Sequence, residues 1–212
     1  TRKDFTPVAL TMGYTLLLVA NNQVSSKTPA ELVAYAKANP GKLNYGTNGY
    51  GAWTHIAMEL FQERTGAKLQ HVPYTGHAPA IQALLAGDIQ LAMVDINIAM
   101  QHIQEGKLHV VAQLGAKRTP QFPDVQTFGE TVPELATDFW LGIFGPPGMS
   151  PALTHKINRD INTAMETPAM RERATQAYMQ VQTETPEAFA QRVDRDWQLW
   201  GKVLRENNIT MK

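Results

Sequence analysis

An α/β chain folded as two lobes is what this sequence predicts, and three observations carry it. Between about residues 20 and 137, apolar strand-like runs alternate with helical patterns, which is the signature of parallel βαβ units. The flanks, 1–19 and 138–212, hold few strands and end in long amphipathic helices, so they pair off as a second body. A length of 212 residues accommodates one large domain or two small ones. The expected lobes are therefore 20–137, built on a mainly parallel sheet, and 1–19 joined to 138–212. The latter is short of strands and reads as an incomplete lobe.

Residues 5–10 and 14–20 are rich in β-formers and apolar on both faces, as buried strands are. Thr28-Pro-Ala-Glu31 is a capping box with proline at the first helical position, and the helix it opens stops at Asn39-Pro-Gly41. Next come a strand at 43–46, a glycine turn at 47–51 and a helix ending at Gly66. Then follow a strand at 69–74, a helix at 78–86, a strand at 89–94, a helix at 97–105 and a strand at 108–114. Residues 117–136, rich in proline and polar side chains, read as loop, and 138–144 as strand. The remainder reads as helical. Ser150-Pro151, Thr167-Pro168 and Thr185-Pro186 are cap-plus-proline starts. Leu153, Ile157, Ile161 and Met165 form one apolar stripe, and Phe189, Val193, Trp197, Trp200 and Leu204 another, both reading as packing faces.

Composition narrows the function classes. The formal net charge is zero, so no nucleic-acid footprint and no polybasic membrane patch is expected. Without cysteine there is no disulfide framework and no thiolate chemistry. The longest apolar run, 14–20, is too short to span a bilayer, and no signal peptide is readable at Thr1. No enzyme is expected, because no serine lies in a nucleophile elbow and no acid pair is spaced for acid–base work. His55 and Glu59, one helical turn apart, fall short of the three or four ligands a metal needs, so neither a metal nor a cofactor is expected.

The binding candidates cluster where strands end and helices begin. Gly46, Gly49 and Gly51 let a ligand approach the main chain. The helix after them offers unpaired N–H groups and a partial positive charge, with Thr47, Asn48, Thr54 and His55 nearby. The other reading is a tight strand-to-helix connection with no ligand. His77, in Val72-Pro-Tyr-Thr-Gly-His-Ala-Pro79, and Asp95 share the same kind of address. His77 reads equally as a solvated loop side chain, and Asp95 as the cap of the next helix. In a parallel sheet these turns meet at one edge, where ligands bind. The candidate ligand-binding set is Thr47, Asn48, Gly49, Tyr50, Gly51, Thr54, His55, Tyr74, Gly76, His77 and Asp95.

An ordered series of motifs resembles the substrate-binding proteins of tripartite tricarboxylate transporters, the Bug family. It comprises Tyr45-Gly-Thr-Asn-Gly-Tyr-Gly51 with His55 and Glu59, His71-Val-Pro-Tyr-x-Gly-x-x-Pro-Ala80, Leu84-x-x-Gly87, Asp4-Phe-Thr-Pro-Val-Ala9, Ala38-Asn-Pro-Gly-Lys-Leu43 and Pro146-Pro-Gly148. The resemblance covers the whole chain. It implies a two-lobed periplasmic binding-protein architecture of type II and a periplasmic location. It also implies capture of a small carboxylate (a di- or tricarboxylate or an aromatic acid) in an interlobe cleft, for delivery to the membrane subunits of a transporter. Such proteins carry a preceding N-terminal segment, which agrees with the expected incomplete lobe. The family usually has more glycine where this chain has His77, and a small residue or proline where it has Trp53. A ligand-sensing domain of a transcription regulator shares the architecture but should bring a helix-turn-helix, and none is readable here.

Overall fold

The computed structural model describes residues 4–206, and the chain divides into two compact units. One takes the chain up to Tyr14 together with Phe139–Lys202, and the other takes Thr15–Asp138 and the residues from Val203.

The second unit is built on a five-stranded sheet. Its strands are β2 (Leu16–Asn21), β3 (Asn44–Thr47), β4 (Gln70–Pro73), β5 (Leu91–Asp95) and β6 (Leu108–Leu114), in the order β4-β3-β5-β2-β6. β3 pairs in parallel with β4 and β5, whereas β2 is antiparallel to both β5 and β6. Four strands thus run one way and β2 alone runs against them, so the sheet is mixed rather than simply parallel. Every residue of β2 is buried, as a strand flanked on both sides and covered on both faces must be. This strand was expected in the other lobe.

The helices of this unit are α1 (Pro29–Ala38), α2 (Trp53–Thr65), α3 (His77–Ala86) and α4 (Ile96–Gln104). Thr28 accepts from the Glu31 N–H at 3.2 Å, and the Glu31 carboxylate accepts from the Lys27 N–H at 2.7 Å. Gly66 and Gly87 stop α2 and α3 in the left-handed conformation that spares glycine a Cβ clash. Tyr45, Phe61 and Phe128 are fully buried, the two phenylalanines edge to face at 4.8 Å. The expected loop at 117–136 contains two short 3-10 turns, Phe128–Glu130 and Pro133–Leu135. It is held by Gln113 of β6, whose amide donates to the carbonyls of Phe122 and Val125 and accepts from Thr119.

The first unit contains a three-stranded, wholly antiparallel sheet: β1 (Thr6–Tyr14) lies between β7 (Phe139–Gly145) and β8 (Met179–Val181). Mainly parallel pairing was expected throughout, and β8 falls where the sequence reads as helical. Three residues are too few to show a period. The helices are α5 (Pro151–Met165), α6 (Pro168–Gln176) and α7 (Pro186–Glu206). Two members of the apolar stripes point outward: Leu153 is 48% exposed and Trp197 58%. In α5 Met165 is buried as the stripe requires, but the other buried positions are Thr154 and Asn158.

Asn158 explains that shift. Its amide donates to the Val8 and Glu184 carbonyls, each at 2.9 Å, tying β1 to the segment entering α7. Replacing it with alanine takes the side-chain donor from the Val8 carbonyl, while Asn162 Nδ2 still reaches the Glu184 carbonyl at 3.3 Å; a buried group left unpaired costs about 1–3 kcal/mol. The Asn158→Ala protein should therefore unfold at lower urea by about 2 kcal/mol, and an unchanged midpoint would show that water serves the Val8 carbonyl equally well.

Candidate functional site

Because β4, β3 and β5 are adjacent and point the same way, their carboxyl ends lie side by side. The turns that follow them open α2, α3 and α4. The same edge receives Thr15, just before β2, and Gly115, just after β6, since Leu16 pairs with both Asp95 and Leu114. Those two residues were not among the sequence candidates. They are in close register: a Cβ added at Gly115 would lie 2.9 Å from the Thr15 hydroxyl.

Capping separates these helices from the others. α1, α5, α6 and α7 are each capped by a hydroxyl, those of Thr28, Ser150, Thr167 and Thr185, which accepts an N–H of the first turn. The residues before α2, α3 and α4 are Ala52, Gly76 and Asp95, and none makes a side-chain cap hydrogen bond. Alanine and glycine have nothing to offer. Asp95 has the right side chain in the capping position, yet it turns to His77: His77 Nε2 lies 3.8 Å from Asp95 Oδ2. Burial pushes the Asp95 carboxyl above its ordinary value, and His77 works in the other direction.

The turn after β3 is braced from within. Gly49 adopts φ +151° and Gly51 φ +73°, and Gly76, before α3, adopts φ +142°. The Thr47 hydroxyl donates to the Gly49 carbonyl and accepts its N–H. Thr54 donates to the Asn48 side chain at 2.6 Å. The Gly51 N–H donates to His55 Nδ1 at 3.1 Å, and the Ala52 N–H to the Gly49 carbonyl. Of the N–H groups from Asn48 to Ala52 expected to meet a ligand, those of Gly49, Gly51 and Ala52 therefore have internal acceptors. Thr47, Thr54 and His55 are buried and act on the turn from beneath. Tyr50 is 57% exposed. Tyr74 is joined to this turn by its N–H, which donates to the Thr47 carbonyl at 3.0 Å.

Beneath the turn lies a stack that the sequence reading missed. The rings of His55 and His71 are stacked, 3.9 Å apart and nearly parallel. Tyr45 stacks on His71 at 5.0 Å, and Tyr50 leans on His55 at 4.7 Å. His71 Nε2 reaches the Thr47 hydroxyl at 2.7 Å. Tyr45 donates to Glu59 at 2.7 Å, and Glu59 also receives Gln62. Since His55 Nδ1 accepts from Gly51, its ring proton sits on Nε2, 3.6 Å from Glu59. Burial pushes Glu59 up, but His55 and Tyr45 outweigh that and hold its carboxyl below the ordinary value. Burial and the Glu59 charge push the Tyr45 phenol far up, so it stays a donor. The signal for this cluster was the β3–β4 register, in which Tyr45 faces His71 and Thr47 faces Pro73.

Burial, together with His55 against it, lowers the His71 imidazole to about 4, while Glu59 works in the other direction. Unfolded, His71 takes up a proton near pH 6.5; folded, it resists until about pH 4. Its contribution to stability is therefore whole above pH 6.5, declines as pH falls from 6.5 to 4, and changes no further below that. Allowing for solvent screening of a half-buried ring, the loss is about 1–2 kcal/mol. Urea unfolding at pH 7 and pH 4.5, compared with His71→Gln, checks this: the variant's fall in stability should be smaller by that amount. An identical fall in both proteins would remove His71 from the account.

Among the described residues no group of three or more His, Cys, Asp or Glu side chains is placed to hold a metal. No helix among them is long and apolar enough to cross a membrane.

Comparison with known proteins adds a family context. The model of the tripartite tricarboxylate transporter family receptor matches residues 1–209. Protein BugT of Bordetella pertussis is 31% identical over 99% of this chain, which spans 65% of that relative's length. MatC from Rhodopseudomonas palustris, solved with bound malate, superposes with a TM-score of 0.78 at 28% identity, covering 94% of this chain and 69% of MatC. A second R. palustris protein, solved with adipate, superposes with a TM-score of 0.82 at 25% identity, covering 98% of this chain and 70% of that one.

Proposed function

Because this chain belongs to the tripartite tricarboxylate transporter receptor family, with the α/β fold of periplasmic binding proteins, we propose that it is an extracytoplasmic solute-binding protein. In this reading it holds a small carboxylate at the carboxyl edge of β4, β3 and β5 and hands it to the membrane subunits of a transporter. It works in the periplasm and performs no chemistry on its ligand.

One observation carries the reading. The three helices that open at this edge lack side-chain caps, whereas α1, α5, α6 and α7 each have one. Unpaired first-turn N–H groups and the positive ends of helices attract an anion without a charged partner. The neighbours solved with malate and adipate support the ligand class. Since Gly49, Gly51 and Ala52 spend their N–H groups internally, the carboxylate's donors are shared among the first turns of α2, α3 and α4. Tyr50, Tyr74 and His77 stand around it. Thr47, Thr54 and His55 set the shape of the turn.

The test is a melting-temperature screen against succinate, malate, adipate, citrate and benzoate, with sodium chloride at equal ionic strength and neutral sugars as controls. At least one carboxylate should raise the melting temperature in a saturable way, as a ligand that binds only the folded state must. If none does so, the carboxylate reading fails, and a saturable rise with a neutral solute would point to another ligand class.

A further inference from the structure

His77 stands where the family resemblance leads one to expect glycine, and its position beside Asp95 is specific. Two of the atoms concerned face inward: His77 Nδ1 and Asp95 Oδ1 are buried and have no hydrogen-bond partner within the protein. Buried polar atoms are ordinarily satisfied, and exceptions gather at functional positions. The other two atoms approach each other: His77 Nε2 lies 3.8 Å from Asp95 Oδ2, in side chains that are 15% and 30% exposed. That separation is too long for a direct hydrogen bond, which needs about 2.7–3.2 Å. It does admit one oxygen atom at about 2.8 Å from each. A neutral ring with its proton on Nδ1 would bury an unpaired donor, so the favoured tautomer carries it on Nε2, toward the carboxylate. The pair then offers one donor and one acceptor to whatever sits between them.

We propose that His77 and Asp95 form a subsite for a hydroxyl group, making this protein selective for hydroxycarboxylates. The inference rests on the carboxylate reading above and adds a substituent to it. A hydroxyl accepts from His77 Nε2–H and donates to Asp95 Oδ2, satisfying both at once. An ammonium group only donates, so it satisfies Asp95 and leaves His77 facing another donor. A methylene in the same place satisfies neither.

The experiment uses two matched sets of ligands: succinate, malate and aspartate, and butyrate with its hydroxy and amino derivatives. Affinities are measured by calorimetric titration for the parent, His77→Phe and Asp95→Ala, which remove the donor and the acceptor respectively. The best hydroxy compound should bind the parent about ten-fold more tightly than its unsubstituted and amino counterparts, as one net hydrogen bond provides. In both variants that preference should shrink to about two-fold or less. The parent's ranking alone decides the matter if either variant fails to fold. A parent that binds the carboxylates without preferring the hydroxy members overturns this inference and leaves the carboxylate reading intact, as does a preference that survives both substitutions. If no member of either set, and none of the carboxylates screened above, binds the parent, both readings fall together.

Discussion

Gly49→Val should bind carboxylate at least roughly ten- to hundred-fold more weakly than the parent while keeping its fold. Gly49 sits at φ +151° with open space around the position a Cβ would take, the nearest atom being the Tyr74 carbonyl oxygen at 3.9 Å. The penalty is therefore one of backbone conformation. Holding a residue with a Cβ in such a region costs on the order of 1–3 kcal/mol, and a β-branched side chain lies at the upper end. The turn can relieve that strain only by rotating, which moves the Gly49 carbonyl away from the Ala52 N–H and the Thr47 hydroxyl. These contacts set the entrance to α2. Gly148→Val is the control: it also has positive φ, +77°, and nothing near its missing Cβ, but it belongs to the other unit. Both variants should lose stability, and only the first should lose affinity. Calorimetric titration with the carboxylate giving the largest melting shift checks this. Parental affinity in Gly49→Val would mean the ligand is held elsewhere.

Phe189→Ala should cost the protein about 3–5 kcal/mol, the usual range for deleting a buried aromatic ring. Phe189 is fully buried. It packs edge to face on Trp140 at 5.2 Å and against Phe144 at 5.2 Å, so a single ring of α7 covers two residues of β7. Gly142 of the same strand makes room for it, since a Cβ there would fall 2.2 Å from the Phe189 ring. The two positions are therefore coupled. Gly142→Ala should destabilise the parent by overpacking, yet be tolerated, or partly compensate, in the Phe189→Ala background. Urea unfolding of the four proteins measures the coupling. Additive effects, or a Phe189→Ala loss under about 1 kcal/mol, would show that α7 does not anchor this sheet.

Much of the chain was legible because local chemistry states it locally. Thr28, Ser150 and Thr167, each followed by proline, start helices where expected, and Gly66 ends α2 where expected. Legibility stopped where a helix buries polar residues or where an element is very short. In α5 the stripe through Leu153 lost to a line through Thr154 and Asn158, because carbonyls needing a donor outweighed one leucine's burial. β8 exists because β1 offers an edge to pair with.

The candidate site divides in the same way. The glycine turns and their shared kind of address were written in residues 47–51, 74–78 and 95, because backbone freedom depends on a few neighbouring positions, whereas the missing cap at Asp95, which the sequence reads as a cap, was not. The family was legible as well, since its motifs are short and ordered along the chain. The tertiary structure alone decided which turns are neighbours, through the order β4-β3-β5 with β2 reversed beside them. It alone brought His55 onto His71 and His77 to Asp95. Those contacts arise from lateral strand order and register, which are long-range pairings that no local period encodes.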